Sequence, residues 1–300
     1  MATRVLAAAL IAASLGASAF AVGFMGPPTA ELNAGQWNIG YSYSYSRQDL
    51  DRATAKGTWY YAEFDGGVLV YDDGDTLEPR RVTAEDVTTQ RNQMVLGYGV
   101  MDQWEVYGTI GVADIKSSVK ERWWDGMGYD TDKYSFNFDN DLAWGLGTRV
   151  TVAQQDNVKW GVSAQMNWID TSIGDKYSGA FPLEEEWVGV WSERWRTEVE
   201  AVELLIAFGA TVDMAGWKLY GGPYYYHLSG DMKTTYTYTA DNQDGWVEVS
   251  REKYKSDAEA SRFGGFVGAI FDLTENSKLT TEFNMHGDGW GSGASIMFTF

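Results

Sequence analysis

The chain closes on GWGSGASIMFTF, residues 289–300, in which Trp290, Ala294, Ile296, Phe298 and Phe300 share one alternating face and the final residue is an aromatic. Alternation with period two is the signature of a β-strand with one apolar face. That face meets either a second protein layer or lipid. The rest of the sequence decides between them.

Working back from the terminus, one unit recurs four times: an alternating strand, a short polar turn, a second alternating strand, then a long polar stretch. The first unit runs through Met94, Leu96, Tyr98 and Val100, turns at 101–103, and returns through Trp104, Val106, Ile110 and Val112. The second pairs Leu142, Trp144, Leu146 and Val150 with Trp160, Val162, Met166 and Trp168. The third pairs Val202, Leu204, Ile206 and Phe208 with Trp217, Leu219 and Tyr225. The fourth pairs Phe263, Val267 and Phe271 with Leu279, Phe283 and Met285. An opening strand carries Trp37, Ile39, Tyr41, Tyr43 and Tyr45, and the terminal strand brings the total to ten.

An even count puts both ends and all four short turns on one side. The other side receives the long stretches 47–90, 114–140, 170–197 and 228–261, expected as outer loops. Short turns on one side and long connections on the other are the asymmetry of a transmembrane antiparallel barrel. The stretches 59–64 and 68–71 form a further hairpin signal; if that pair spans the membrane the count becomes twelve, but its strands are short for a tilted span of about 9 to 11 residues. The inward partners of the apolar lattice are Gly, Ser, Thr, Asn and Gln, the reverse of a soluble two-sheet sandwich, which is the rival reading. Only a sheet closed on itself satisfies its backbone in lipid.

Composition agrees. An aromatic fraction of 15% with 34 glycines suits strands held between two aqueous interfaces rather than an ordinary soluble domain. The net charge of −19 repels phosphates, so nucleic acid is excluded as a partner. The absence of cysteine removes disulfides and thiolate metal sites from consideration. The start of the chain, with Arg4 before an apolar run from Val5 to Leu15 and small residues at Ala17 and Ala19, has the form of a secretory signal peptide spanning 1–21, cleaved after Ala19 or Ala21. The expected mature domain is 22–300.

The segments LGYGVMDQWEVYG (96–108) and SIMFTF (295–300) resemble the small bacterial outer-membrane β-barrel proteins. The resemblance implies export by the general secretory route, periplasmic chaperones, and insertion by the barrel-assembly machinery, which in that family recognises a final strand such as the one carrying Ile296, Phe298 and Phe300. The expected surroundings are the lipid bilayer and lipopolysaccharide of an outer membrane, with the protein as a monomer.

Alternation sends Glu105, Tyr107, Arg149, Lys159, Glu203, Lys218, Tyr220, Tyr224, Arg262, Lys278, Glu282 and Asn284 into the lumen. Of these, Glu105, Arg149, Glu203, Lys218, Arg262 and Glu282 form the expected charge network, with Glu105, Arg149 and Glu282 pairing. Small inward residues such as Gly97, Gly99, Gly147, Gly161 and Gly293 leave room beside it. Trp104, Trp160, Trp217, Phe271 and Phe298 form an expected aromatic girdle. Ten strands enclose a narrow lumen, so the expected role is a narrow porin-like channel for small solutes or a structural envelope protein. The alternative is an adhesin or ligand-binding barrel acting through outer aromatics such as Trp123, Trp124, Trp187, Trp191 and Trp195, beside Glu184, Glu185 and Glu186.

The ten-stranded omptin proteases also resemble this architecture, and Asp130 and Asp132 match their acidic pair in the second outer loop. The Asp-x-His pair that they carry in the fourth loop is missing, since His227 and His286 are the only histidines and neither has an aspartate two residues before it. No catalytic residue, cofactor or metal site is therefore assigned.

Overall fold

The computed structural model describes residues 23–49, 53–124, 129–182, 188–241 and 246–300. The expected signal peptide, Glu184, Glu185, Glu186 and Trp187 lie outside the described residues, as do the side chains of Trp123, Trp124, Asp130 and Asp132.

Eleven strands are present: β1 (Trp37–Gln48), β2 (Ala53–Asp65), β3 (Val68–Met101), β4 (Trp104–Trp124), β5 (Tyr129–Gln155), β6 (Val158–Pro182), β7 (Val188–Asp213), β8 (Trp217–Asp241), β9 (Trp246–Thr274), β10 (Ser277–His286) and β11 (Gly289–Thr299). Ten of them close an antiparallel barrel in the order β1-β3-β4-β5-β6-β7-β8-β9-β10-β11 and back to β1. The closing seam runs from Asn38 opposite Thr299 to Gln48 opposite Gly289. At its foot Trp37 and Phe300 exchange backbone hydrogen bonds of 3.0 and 2.9 Å. The carboxy-terminal aromatic thus completes the ladder, and among the described residues there is one sheet, closed on itself, with no second sheet for the apolar face to meet as a sandwich requires.

That face looks outward. Trp104, Ile110, Leu142, Trp144, Leu146, Phe208, Val267 and Phe298 are all exposed. Aromatic side chains mark both ends of the apolar band, eight residues apart along several strands: Trp37 and Tyr45, Trp160 and Trp168, Trp217 and Tyr225, Phe271 and Phe263, Phe298 and Trp290. Eight residues rise about 26 Å along a strand, or roughly 20 Å across a bilayer at the usual tilt. Neighbouring strands place these rings together, with Trp144 stacked on Trp168 at 4.2 Å, Trp160 on Phe208 at 5.8 Å and Trp217 on Phe271 at 6.3 Å.

Among the described residues the four long connections are mostly strand, and here the expectation of loops is corrected. The strands continue through them: β3 is 34 residues long and β8 is 25. Above the membrane both faces of a strand can be polar, so the alternation there is carried by residues such as outward Lys233 and inward Thr234 rather than by a contrast of apolar and polar. From His227 to Asp241 the extension adds about 35 Å beyond the apolar band.

The twelve-strand alternative is also corrected. β2 does not span; it fills the wall above the short β10–β11 hairpin, pairing with β9 from Lys56 opposite Lys255 to Asp65 opposite Trp246, and with β3 from Ala53 opposite Val82 to Asp65 opposite Val68. Its turn is set by Gly66 and Gly67 at φ 55° and 82°, the pair of positive angles that a two-residue hairpin needs.

Candidate functional site

The interior of the barrel is filled, and the filler is a stretch with no strand periodicity. Residues 23–36 enter the lumen, where Met25, Gly26, Pro27, Pro28, Thr29, Ala30 and Leu32 are buried. A non-strand backbone in such a place needs a partner for every amide. Glu282 supplies two, accepting from Met25 N at 3.0 Å and Gly26 N at 2.9 Å. The next two residues are prolines and carry no N–H. Thr151 Oγ1 accepts from Ala30 N at 3.1 Å, and Glu105 Oε2 accepts from Glu31 N at 2.8 Å and Leu32 N at 3.1 Å. Thr29 and Thr211 hydroxyls meet at 2.7 Å.

Glycines on the wall provide the space. A Cβ on Gly161 would lie 2.4 Å from the Pro28 carbonyl oxygen, one on Gly99 would lie 2.0 Å from that of Asn33, and one on Gly293 would press on Phe24 at 2.8 Å. The room that small inward residues leave is therefore occupied by the chain's own amino-terminal segment.

The charged groups lock this segment to the wall. Arg149 Nη1 donates to Glu105 Oε1 at 2.6 Å, and its Nη2 donates to the Met25 carbonyl at 3.0 Å. Lys218 and Lys278 both reach Glu31 Oε2, at 2.5 and 3.2 Å. Glu282 does not pair with Arg149; it holds the segment's amides and accepts from Tyr220 OH at 3.1 Å. The expected triple pairing of Glu105, Arg149 and Glu282 is corrected accordingly.

A second tier crosses the barrel above. Arg91 and Glu203, both buried, pair at 2.7 Å. Asn167 Nδ2 donates to Glu203 at 3.1 Å, Gln165 Nε2 to Asn167 at 2.8 Å, and Tyr107 OH to Gln165 at 3.0 Å. The Arg149 guanidinium sits 4.4 Å from the Tyr107 ring centroid, which joins the two tiers. Each charge taken out of water is thus met by an opposite charge or by several donors, the condition for tolerating it. Arg262 stands apart from this network, facing Asp288 at 3.8 Å near the outer end of β10.

Arg91 and Glu31 are the members that the sequence reading missed. Arg91 shares the inward parity of Gln93, so extending that strand by two residues finds it; Glu31 lies in a stretch with no periodic signal.

Over both tiers a packed cluster including Val87, Ile115, Ile169, Tyr226, Leu228 and Ala260 continues the filling. Beside the segment is a cavity with about 50 Å³ of room for water centres, lined among others by Asn38, Gln93, Tyr107 and Lys278. That is space for a few waters.

The two histidines point to opposite sides of the wall. His286 is buried inside against the Tyr226 ring at 6.5 Å, whereas His227 faces out, 3.0 Å from Ser261 Oγ. They cannot serve one reaction centre. No group of three metal-ligating side chains occurs among the described residues.

No family model matches the chain, and no curated protein matches it. Solved structures similar in fold include the outer membrane protease OmpT from Escherichia coli, 11% identical over 94% of this chain and 100% of that one, with a TM-score of 0.41. The beta domain of the Bordetella autotransporter BrkA is 11% identical over 89% and 100%, with a TM-score of 0.36. Ail, the attachment invasion locus protein of Yersinia pestis, is 10% identical over 89% and 99%, with a TM-score of 0.27. At these values the likeness concerns the type of fold, and no activity passes from them to this chain. Ten strands sealed into a cylinder, apolar outside and with its polar groups tied together inside, give this chain the architecture of a transmembrane β-barrel.

Proposed function

We propose that the protein is a closed barrel whose working part is the tall β-extension at the cell surface: a surface-binding scaffold rather than a conduit for solutes. The observation that supports this most directly is the lumen segment 23–36, held by the carboxylates of Glu105 and Glu282 and by the Thr151 hydroxyl. A conducting lumen has no use for a backbone bonded across it. The extension, by contrast, presents half-buried Trp191 and Trp195 and the exposed hairpin tip of β2 and β3 to the medium.

Export with removal of residues 1–21, insertion by the barrel-assembly machinery through Ile296, Phe298 and Phe300, seating of Trp104, Trp160, Trp217, Phe271 and Phe298 at headgroup level beside lipopolysaccharide, and a monomeric state belong to the same reading. Planar-bilayer recording tests it. The intact protein is expected to give no discrete conductance steps. Discrete steps from the intact protein would restore the porin-like alternative.

A further inference from the structure

The wall of the extension has free edges on β3, on β5 and on β6, since β5 and β6 part beyond Ala143 opposite Ile169; the β3 edge is the one that ends in an apolar tip. Residues Val68 to Leu77 of β3 pair with β2 on one side, whereas pairing of β3 with β4 starts only at Arg81 opposite Arg122. On the far side of these ten residues no strand is present among the described residues. Such an edge offers every second N–H and C=O to solvent.

Natural edges are usually blunted by lysine, by a bulge or by a cover. Here a single bulge falls at Val70, between Phe64 opposite Leu69 and Glu63 opposite Tyr71, and the tip is apolar: Val68, Leu69, Val70 and Tyr71 are exposed by 66, 48, 50 and 49%. Immediately below them Asp72, Asp73 and Asp75 are all exposed. The edge thus has a greasy upper part and an acidic lower part, with no basic side chain among Val68 to Leu77.

We propose that this edge takes up an extended segment of another protein, one that alternates apolar with basic residues, as an added antiparallel or parallel strand. It rests on the reading of the extension as the working part of the molecule, and it names the class of partner. Main-chain hydrogen bonds to Val68–Asp72 give the attachment, the Gly74 and Thr76 N–H groups below being already bonded to Asp73 and Asp75 at 2.8 and 2.6 Å; the valines and Leu69 give apolar contact, and the three aspartates select positive charge.

A second copy in the same membrane is a poor occupant. Two barrels inserted alike are related by rotation about the membrane normal, so equivalent edges meet parallel. That sets Asp72, Asp73 and Asp75 beside their own copies, and like charges facing across a strand pair repel. The net charge of −19 on each chain adds to the repulsion.

The test uses the full-length protein in detergent micelles and two fluorescent peptides of about eight residues, near the length of the edge, alternating valine with lysine or valine with glutamate. The lysine peptide is expected to bind at least about tenfold more tightly. Asp72→Lys with Asp73→Lys is expected to reverse the preference. Because successive N–H groups alternate sides, one of Tyr71→Pro and Asp72→Pro leaves the β2 ladder whole and removes an outward donor. That variant should keep the heat-resistant barrel and lose peptide binding.

Equal binding of both peptides, an unreversed preference in the lysine variants, or unchanged binding in both proline variants would overturn the proposal. So would a dimer in the absence of peptide that either proline variant abolishes, since the edge would then belong to a second copy. None of these results bears on conductance, so the closed-barrel reading stands or falls separately.

Discussion

Glu105 ties the lumen segment to the wall and to a buried cation. One carboxylate accepts two backbone N–H groups of the lumen segment and one arm of Arg149. Replacing Glu105 by Ala strands a buried guanidinium and two amides at once, which costs roughly 3–5 kcal/mol. The expected outcome is a lower urea midpoint for barrel unfolding. Gly161→Val reaches the same state from the wall, since its side chain would take the place of the Pro28 carbonyl oxygen; a lower urea midpoint with an unchanged gel mobility is the expected readout. His227→Ala with His286→Ala is expected to leave surface binding unaltered, measured with the same peptides, because neither ring touches the free edge of β3.

At the scale of elements, what the sequence disclosed depended on which solvent each face meets. In the spanning parts, outward Leu142, Trp144 and Leu146 alternate with inward Ala143, Gly145 and Gly147, and the contrast is plain. In the extension the same strands alternate one polar residue with another, as at Lys233, Thr234, Thr235 and Tyr236 of β8, and the contrast vanishes although the ladder persists. The lumen segment was illegible for a different reason: Pro27 and Pro28 forbid a strand, and its burial arises from partners more than a hundred positions away, such as Thr151 and Glu282.

The extension also has its own pH signature. Burial, and then the neighbouring Glu63 and Glu248, push the Tyr61 phenol up, with Tyr61 OH donating to Glu63 at 2.8 Å. Burial, followed by Glu248 and Glu193, pushes Tyr238 the same way. A raised folded-state value means that the folded form keeps its proton while the unfolded chain has begun to lose it. The stability tied to these groups is therefore fully present below the ordinary phenol range near 10 and declines as pH rises above it. Ultraviolet difference titration should show a tyrosine class ionising late, and Glu63→Gln should move part of that class downward.

For the molecule as a whole, the number of strands and the side of the short turns were readable because a closed membrane barrel repeats one pattern on every strand. Closure itself was readable only as a requirement of lipid, and the seam shows how it is met: Trp37 and Phe300 complete the last rung. Removing Phe300 deletes that rung and an outward aromatic together. The expected result is loss of the heat-modifiable band on detergent gels, while Phe300→Trp, which keeps both, should retain it.

The partners of the lumen segment also dictate an order of events in biogenesis. Gly26 and Glu282 are separated by 256 positions, and the seam joins the first strand to the last. Contacts between such remote parts of a chain form late, after the cost of closing a very large loop has been met. A truncated polypeptide therefore leaves the Met25 and Gly26 amides and the outer edge of its first strand without partners until the final hairpin is in place.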